Sequence, residues 1–467
     1  MAALMQAVSI LEGDWRDPIE VLRVFADEPW TIGLLSGGDG REARWSYLVR
    51  QPQAVLTIAR EDTRDAFAAL ADLIGEPEPS APDGPPFQGG VVGLCAYELG
   101  DRTEPLGLAR HADWPDLTCA RYLSLLAFDH RRGRVCAVGR GDSGDGARAR
   151  ADEALGWLED ARQARRAAGS ETGDLGGAMT VEPAATYEAA VADVVERIGR
   201  GEIFQANIAR TWRGRLADGA RPFDWLERLA RRSPAPFAAY LRLEDKALVS
   251  NSPERFVRVE PRDGGLSVET QPIKGTAPRG REPDEDHRMA RALAASPKDR
   301  AENLMIVDLM RNDLARVCRP GSVETPQLFG LETFANVHHL VSTVTGRLAP
   351  GRTAVDLLRA ALPAGSITGA PKIQAMKVIA GLEAPRGPFF GVLFWAGMDG
   401  SLDSSVLIRT AALARDPNGW RIEARAGAGV VADSLPAAER RETEDKISAL
   451  ALALGPAAAT GSCAESA

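Results

Sequence analysis

The chain carries, near its C-terminus, three apolar segments separated by turn sequences typical of β-hairpins. These segments are residues 389–396, 406–413 and 420–426. The connections contain Asp399-Gly400 and Asn418-Gly419, and such Asp-Gly and Asn-Gly pairs favour tight turns between antiparallel strands. The pattern therefore predicts an antiparallel meander.

Helical patterns alternate with strands through the second half of the chain. Apolar residues at helical spacing predict a helix over 187–198. A second helix is expected to open at Ser296 as N-cap, with Pro297 in its first turn, and to run to Val317. Further helices are expected at 372–382 and after Pro436, and short apolar runs at 30–35, 54–58, 89–96, 123–128 and 203–212 are expected to form strands. Long antiparallel strands interleaved with helices predict an α+β fold in which helices cover the sheets.

A chain of 467 residues is long enough for two or three domains. The most linker-like stretch, residues 141–183, is rich in glycine at both ends and contains one Ala/Arg/Glu-rich helix. We place a boundary near Gly177, which predicts an N-terminal part at 1–177, a catalytic part at 178–456 and a disordered tail at 457–467.

The net charge of −9 disfavours general binding to nucleic acid or to anionic membranes. Five scattered cysteines without a Cys-x-x-Cys pair argue against a disulfide framework or a zinc site and favour a reducing compartment. The first residues lack a basic leader, and no apolar stretch approaches the ~20 residues of a membrane span. We therefore expect a cytoplasmic protein.

Lys274 is the residue that most strongly suggests chemistry. In residues 271–276, Gln-Pro-Ile-Lys-Gly-Thr, an apolar Pro-Ile pair precedes the amine and a Gly-Thr turn follows it. Such a setting can desolvate a lysine partly, which favours the free amine and makes it a usable nucleophile. A lysine at the end of a strand is more often a solvated surface group, so the hexapeptide alone leaves both interpretations open.

Two predicted helices each present a pair of carboxylates on one face. Asp299 and Glu302 are three residues apart in one helix, and Glu439 and Glu442 are three apart in the last helix. Mg²⁺ prefers oxygen ligands and usually takes one or two carboxylates, while water or substrate fills its other positions. The two pairs predict a magnesium site, and two solvated amphipathic faces are the alternative.

Two glycine-containing segments offer backbone donors to an anion. Residues 365–372 lead to a helix N-terminus, where free N–H groups and the helix dipole attract negative charge. Residues 427–432 satisfy Gly-x-Gly-x-x-Ala after a strand, but the next helix is delayed to Pro436 and no βαβ unit surrounds them. We interpret these glycines as points of close approach to a small anion.

Several polar side chains remain open to two interpretations each. Arg409, on a strand of the meander, could clamp a carboxylate together with Lys446, or both could be surface charges. His339 is either a neutral core histidine or part of a catalytic pocket. Glu254 could be a general acid or one half of an ion pair with Arg255.

Taken together these segments resemble the chorismate-utilising enzymes, the family of anthranilate, aminodeoxychorismate, isochorismate and salicylate synthases. The matching motifs keep their order and lie at 201–207, 252–256, 271–276, 300–309, 311–313, 365–372, 427–429 and 439–446. The N-terminal part resembles the family more loosely, through Gly89-Gly90 and the strand that follows. The lysine at position 274 resembles the one that aminodeoxychorismate synthases carry in this motif, whereas anthranilate synthases carry alanine there. Isochorismate and salicylate synthases place a water-activating lysine where this chain has Gln205.

The resemblance implies an intertwined αββα sandwich built on antiparallel sheets and the amination of chorismate at C4, for p-aminobenzoate and folate synthesis. It implies Lys274 as covalent nucleophile, Glu254 as general acid and His339 in the catalytic pocket. Mg²⁺ is expected on Glu302 and Glu442, with Asp299 and Glu439 in support. The residues that the resemblance implies for substrate binding are Thr276, Thr368, Gly369, Arg409, Gly427, Ala428, Gly429 and Lys446.

No Cys-His glutaminase pair is visible, so ammonia is expected from a separate glutamine amidotransferase subunit in a heterodimer. Three alternatives remain: an anthranilate synthase component I, a catalytically silent module that binds chorismate or an amino acid, and a nucleotide-dependent oxidoreductase resting only on Gly427 and Gly429. Residues 34–37, Leu-Leu-Ser-Gly, stand where feedback-sensitive relatives carry a Leu-Leu-Glu-Ser-like segment, which leaves tryptophan binding open.

Overall fold

Strands from the whole length of the chain combine into two large antiparallel sheets. A computed structural model describes residues 7–38, 40, 42–167, 175–176, 179–262, 264–333 and 337–455. The boundary expected near Gly177 and the tail expected at 457–467 lie outside these residues. The strands are β1 (Ala7–Asp14), β2 (Thr31–Leu35), β3 (Trp45–Val49), β4 (Ala54–Ile58), β5 (Gly90–Cys95), β6 (Leu117–Tyr122), β7 (Ser124–Asp129), β8 (Arg134–Gly141), β9 (Thr180–Val181), β10 (Gln205–Arg215), β11 (Phe237–Arg242), β12 (Lys246–Ser252), β13 (Arg255–Arg262), β14 (Gly265–Thr270), β15 (Ile273–Pro278), β16 (Glu324–Thr333), β17 (Val337–Arg347), β18 (Gly369–Ala370), β19 (Val392–Gly397), β20 (Leu402–Val406), β21 (Thr410–Asp416) and β22 (Gly419–Val430).

Helices flank these strands in the order of the chain. The α-helices are α1 (Pro18–Phe25), α2 (Ala66–Ile74), α3 (Gly144–Ala167), α4 (Ala184–Gly199), α5 (Pro222–Arg232), α6 (Pro283–Ala295), α7 (Pro297–Ala315), α8 (Ala354–Ala361), α9 (Lys372–Leu382) and α10 (Pro436–Leu454). Short 3₁₀ turns lie at Tyr97–Arg102 and Gly365–Ile367. The helices expected at 187–198, 372–382 and after Pro436 are confirmed.

The two sheets are intertwined, because each takes strands from both ends of the chain. Within the described residues the first sheet has the order β1-β8-β7-β3-β2-β11-β12-β21-β22-β10-β18, with β9 beside β10. The second has the order β15-β17-β14-β13-β20-β19-β5-β6-β4, with β16 beside β17. In the first sheet Ile32 of β2 pairs with Leu241 of β11, and in the second Leu94 of β5 pairs with Leu393 of β19. Neither half of the chain therefore completes a sheet alone.

Buried apolar clusters between the sheets and beneath the helices hold the sandwich together. Ile32, Val92 and Leu393 belong to a buried cluster between the sheets, built from strand and loop residues. A second cluster joins the first sheet to α1, α3, α5 and α10, and a third joins the second sheet to α2, α7 and α8. Burial of apolar surface on both faces of each sheet stabilises this α+β arrangement, and it confirms the expected αββα sandwich.

Local capping explains where the site-bearing helix α7 begins. The Ser296 hydroxyl accepts a hydrogen bond from the backbone N–H of Asp299 at 3.3 Å, and Pro297 occupies the first turn. This N-cap satisfies one of the free N–H groups of the first turn, as the sequence predicted. The helix ends at Ala315, two residues before the predicted end.

The predicted C-terminal meander is wrong, because its segments form two hairpins in different sheets. The Asp399-Gly400 turn joins β19 to β20 in the second sheet, and the Asn418-Gly419 turn joins β21 to β22 in the first. The segment 406–413, predicted as one strand, is broken between β20 and β21, where Arg409 has a φ of 50°. An L-residue with positive φ cannot continue a strand, so the chain leaves one sheet here and enters the other.

The four described cysteines are free thiols and all are buried. Cys463 lies outside the described residues. Among the helices described, none combines the length and apolar character needed to cross a membrane.

Candidate active site

Two neighbouring crossings between the sheets supply two of the predicted site residues. The chain passes from β12 to β13 at Pro253 and Glu254, and from β20 to β21 at 407–409. The crossings are hydrogen-bonded to each other: Val406 N donates to Glu254 O at 3.1 Å, and Asn251 N donates to Arg409 O at 3.0 Å. Arg409 was expected on a strand; its place in a crossing instead brings it beside Glu254.

Glu254 is a buried carboxyl group with a single side-chain donor at hydrogen-bond distance among the described residues. The Ser366 hydroxyl donates to Glu254 Oε1 at 3.1 Å. Arg255 pairs instead with Asp403 at 2.8 Å and with Glu42 at 2.5 Å, so the alternative of an ion pair between Glu254 and Arg255 is wrong. Burial raises the pKa of Glu254 to about 7, against the opposing effects of Ser366, Lys274 and Lys446. The group can therefore hold a proton near neutral pH and give it up.

The Lys274 amine lies against helix α7. Its Nζ is 3.2 Å from Glu302 Oε2, and its side chain is 20% exposed. A Cβ added at Gly429 would lie 2.7 Å from this Nζ and 3.0 Å from Gln205 Nε2. A glycine at 429 thus leaves the space that the amine occupies, and Lys274, Gln205 and Gly429 meet at one point.

Gln205 is fully buried, and neither of its amide atoms finds a hydrogen-bond partner among the described residues. A buried amide without partners is costly, which points to a bound polar group or water at this place. The sequence had singled out Gln205 only through the resemblance, as the position where some relatives carry lysine.

His339 and Thr276 contact each other close to Arg409. Thr276 Oγ1 and His339 Nδ1 are 2.9 Å apart, and both strands, β15 and β17, are paired here. Burial, with the charge of Arg409, lowers the pKa of His339 to about 4, so the ring is neutral at physiological pH. His339 is therefore both a neutral, hydrogen-bonded histidine and a neighbour of Arg409. Burial also lowers the pKa of Arg409, and Glu254 opposes this effect.

The carboxylates of α7 and α10 face the lysines of the centre. Glu442 Oε1 is 2.6 Å from Lys446 Nζ, and Lys446 Nζ donates to Gly427 O at 2.8 Å. Burial opposes ionisation of Glu442, but Lys446 and Lys274 hold its pKa below its ordinary value. Burial and the neighbouring Glu442 raise the pKa of Glu439, with Ser434 opposing.

Asp299 lies close to the Lys274 segment from the α7 side. A Cβ added at Gly275 would lie 3.1 Å from Asp299 Oδ1, and Gly275 has a φ of 96°. Glycine is the residue that adopts this backbone conformation without strain, so it allows β15 to pass close to α7.

Glu302 and Glu442 share Lys274 as a neighbour, since its Nζ is 3.2 Å from Glu302 and its charge lowers the pKa of Glu442. In the described ranges, no group of three or more His, Cys, Asp or Glu side chains is close enough to hold a metal ion. Glu302 and Glu442 are each held by a lysine, at 3.2 and 2.6 Å. Mg²⁺ commonly uses one or two carboxylates and completes its shell with water or substrate oxygens, so carboxylates of this kind are the donors that it prefers.

Strand β10 pairs with both glycine-containing segments of the candidate site. Gln205 pairs with Ala370, Asn207 with Gly429, and Ala209 with Gly427. Residues 427–430, which were expected to follow the strand at 420–426, belong to β22. The sequence could not show this, because glycine is usually depleted in strands. Thr368 is buried, with its carbonyl accepting from Asn207 N at 2.9 Å. Gly369, in β18, and Ala428, in β22, are also buried, and both strands pair with β10.

A separate cavity of about 890 Å³ lies next to this centre and does not include Glu254 or Lys274. Its lining contains Leu34, Leu35 and Ser36 together with Arg255 and Asp403. The segment that the sequence compared with tryptophan-binding relatives thus lines a cavity distinct from the candidate active site.

Comparisons with known proteins identify the family of the chain. The model of the chorismate binding enzyme family matches residues 34–452. Aminodeoxychorismate synthase component 1 of Klebsiella aerogenes is 39% identical over 446 residues, covering 90% of this chain and 93% of that protein. Anthranilate synthase component 1 of Streptomyces coelicolor is 38% identical over 435 residues, covering 89% of this chain and 81% of that protein.

The fold is shared with solved structures as well. The crystal structure of anthranilate synthase component I from Streptococcus pneumoniae superposes with a TM-score of 0.75 at 26% identity, covering 88% of this chain and 93% of that chain. The family model matches most of the sequence, and a relative at 39% identity covers 90% of it. This chain therefore belongs to the chorismate binding enzyme family.

Proposed function

We propose that the chain aminates chorismate at C4 with ammonia to give 4-amino-4-deoxychorismate, as component I of an aminodeoxychorismate synthase serving p-aminobenzoate and folate synthesis. Overall identity separates the two candidate activities poorly, because relatives of both kinds lie at 38–39%. The observation that carries the proposal is the Lys274 amine, which lies beside Gly429 and Gln205 in a centre that also holds Glu254.

The residues divide the reaction into two displacements. Lys274 Nζ attacks C2 of the ring, the double bonds shift, and the C4–O bond breaks while Glu254 transfers its proton to the departing oxygen, which leaves as water. Ammonia then attacks C4, the double bonds shift back, and the C2–N bond to Lys274 breaks. The proton lost by the incoming nitrogen restores Glu254. The net change is chorismate plus ammonia to the aminated product plus water.

The contact between Lys274 and Glu302 has to open during this cycle. A nucleophilic lysine must present its free amine, whereas at 3.2 Å from a carboxylate it is held as half of an ion pair. The enolpyruvyl and ring carboxylates of the substrate bring their own negative charge to the same place. Arg409 and Lys446 are the groups we assign to hold these carboxylates, with Thr276, Gly369, Ala428 and the neutral His339 beside them. The sequence had assigned Thr368 to the substrate as well, but its N–H and its hydroxyl already donate to Gly365 O and Ala364 O, so Thr368 shapes the site without binding a carboxylate.

Glu302 and Glu442 are the residues that would hold Mg²⁺, with Asp299 and Glu439 near them. When bound there, the ion would supply a Lewis acid for the ring carboxylate. Helices α7 and α10 carry these carboxylates and so set their positions.

Ammonia is proposed to come from a glutamine amidotransferase partner. A glutaminase needs a reactive thiolate, and burial raises the pKa of Cys95, Cys119, Cys136 and Cys318 in this chain. The described cysteines are thus unsuited to that role. Free, buried thiols also suit a reducing compartment, and we propose the cytoplasm.

The deciding experiment is to incubate the purified chain with chorismate, Mg²⁺ and ammonium and to identify the product by mass. A product that keeps the enolpyruvyl group and gains an amine supports the proposal. Anthranilate together with free pyruvate would assign the chain to the anthranilate branch, and an absence of any turnover would favour a silent binding module.

Replacing Glu302 by glutamine should weaken the response to Mg²⁺. The amide keeps the shape of the side chain but loses the charge, and loss of one of two carboxylate ligands should raise the half-saturating Mg²⁺ concentration by about tenfold or more. Amination rates measured across a Mg²⁺ titration give this value. Glu269→Gln, on β14 and paired with Arg258, is the matched control. An unchanged titration curve in Glu302→Gln would refute the metal assignment.

A further inference from the structure

Ser366 is a serine whose only described side-chain contact reaches the buried acid of the centre. Its Oγ is 3.1 Å from Glu254 Oε1, although the two residues are 112 positions apart in the chain. Ser366 lies in the 3₁₀ turn Gly365–Ile367, between α8 and β18. None of the roles assigned above uses this residue.

The turn that carries Ser366 packs on α7 and is closed by a hydrogen bond between its two flanking residues. A Cβ added at Gly365 would lie 3.1 Å from Leu309 Cβ, so the turn packs closely on α7. At its other end Thr368 Oγ1 donates to Ala364 O at 2.8 Å. A side chain on a segment packed in this way can hold its partner in one orientation, as positioning of a reacting group requires.

The charged groups around Glu254 come from three other elements. Lys274 faces it from β15, Lys446 from α10, and Arg409 from the crossing between β20 and β21. The backbone N–H of Ile273 also points toward the carboxyl group. Lys274, Arg409 and Lys446 are all assigned to the substrate, so their contributions change during turnover, whereas Ser366 is assigned to Glu254 alone.

We propose that Ser366 is the positioning residue of Glu254, and that its hydroxyl both orients the carboxyl group and sets its strength as the proton donor. This inference rests on the function proposed above. When the C4–O bond breaks, the Glu254 proton moves to the leaving oxygen and the carboxyl group becomes a carboxylate. The Ser366 O–H donates to that carboxylate, and a hydrogen bond to an ionised acceptor is stronger than one to a neutral acceptor.

Ser366→Ala should change the pH dependence of amination in a defined direction. Without the donor the ionised form of Glu254 loses stabilisation, so the group stays protonated to higher pH but is a weaker acid. The alkaline limb of kcat should move upward by roughly one pH unit, and kcat below the limb should fall about tenfold. Ser366→Thr retains a hydroxyl and should keep the wild-type limb, and the exposed Ser448→Ala is the control for a serine outside the site.

The measurement is kcat and KM between pH 5.5 and 9, with total ammonium adjusted to keep free ammonia constant. A raised KM with an unmoved limb, or an unchanged profile in Ser366→Ala, would overturn the inference. If Ser366→Ala fails to fold, Ser366→Cys, which has a weak donor in nearly the same volume, carries the same test.

A second readout separates this inference from the proposed function. The infrared carbonyl band of protonated Glu254, identified by its absence in Glu254→Gln, can be titrated without any turnover. If wild-type protein produces no aminated product, the function fails, while the band still reports whether Ser366→Ala shifts the Glu254 titration upward. If wild-type protein aminates chorismate but the band titrates at the same pH in both proteins, the inference about Ser366 alone is refuted.

Discussion

Lys274→Ala is expected to lower ammonia-dependent amination at least about a hundredfold, which corresponds to about 2.7 kcal/mol of transition-state stabilisation. The alanine variant has no nucleophile at the place where Lys274 Nζ meets Gln205 and Gly429, so the covalent route is closed. In the absence of ammonia, the wild-type protein should gain the mass of chorismate less one water, and Lys274→Ala should not. Intact-protein mass spectrometry after mixing with chorismate and Mg²⁺ measures this directly.

Lys298→Ala provides a matched control for the loss of a positive charge. Lys298 Nζ also reaches Glu302, at 3.9 Å, but its side chain is 61% exposed. An exposed ion pair contributes up to ~1 kcal/mol, so this variant should retain activity within about fivefold and keep the covalent adduct. Turnover in Lys274→Ala equal to that in Lys298→Ala would refute the covalent route, although membership of the family would stand.

Local sequence signals predicted the parts of the fold that depend on neighbouring residues. The Ser296 cap, the helix that follows Pro436 and both hairpin turns are set by a few adjacent residues, and all are confirmed. The intertwining of the sheets came from the family resemblance, because pairs such as Leu94 with Leu393 are nearly 300 residues apart and leave no local pattern.

The break at Arg409 shows why the meander was predicted incorrectly. Residues 406–413 form an unbroken run compatible with a strand, and a positive φ at a non-glycine residue has no sequence signal. The structure imposes it because the chain must leave the second sheet and enter the first. The same crossing places Arg409 near His339 and Glu254, which a continuous strand would not have done.

The sequence predicted which residue types form the candidate site, but it predicted their arrangement only in part. The sequence named Glu254 and Lys274, but left Glu254 as either a general acid or one half of an ion pair with Arg255. The actual partners of Arg255 are Asp403 and Glu42, which are distant in the chain. Ser366 was part of a recognised motif, yet nothing in that motif points to a carboxyl group 112 residues away. Contacts of this kind arise from tertiary packing alone.

Glu254→Gln is expected to lower amination about 10²- to 10⁴-fold, the range that a positioned general acid contributes. The amide has nearly the same shape and can still accept a hydrogen bond from Ser366. The substitution therefore removes mainly the carboxyl proton. Activity is measured with chorismate, Mg²⁺ and a constant concentration of free ammonia, and Glu269→Gln serves again as the control because it lies on β14, outside the centre.

The pH dependence distinguishes proton donation from a purely electrostatic role. With burial raising its pKa to about 7, Glu254 is protonated below that pH and ionised above it. An acid must be protonated to act, so wild-type activity at constant free ammonia should fall as the pH rises through about 7. Glutamine does not titrate, and the residual activity of Glu254→Gln should show no such fall. If Glu254 acted instead as a carboxylate, activity would rise through the same interval in the wild type but not in Glu254→Gln, and the assignment of the acid would have to be abandoned.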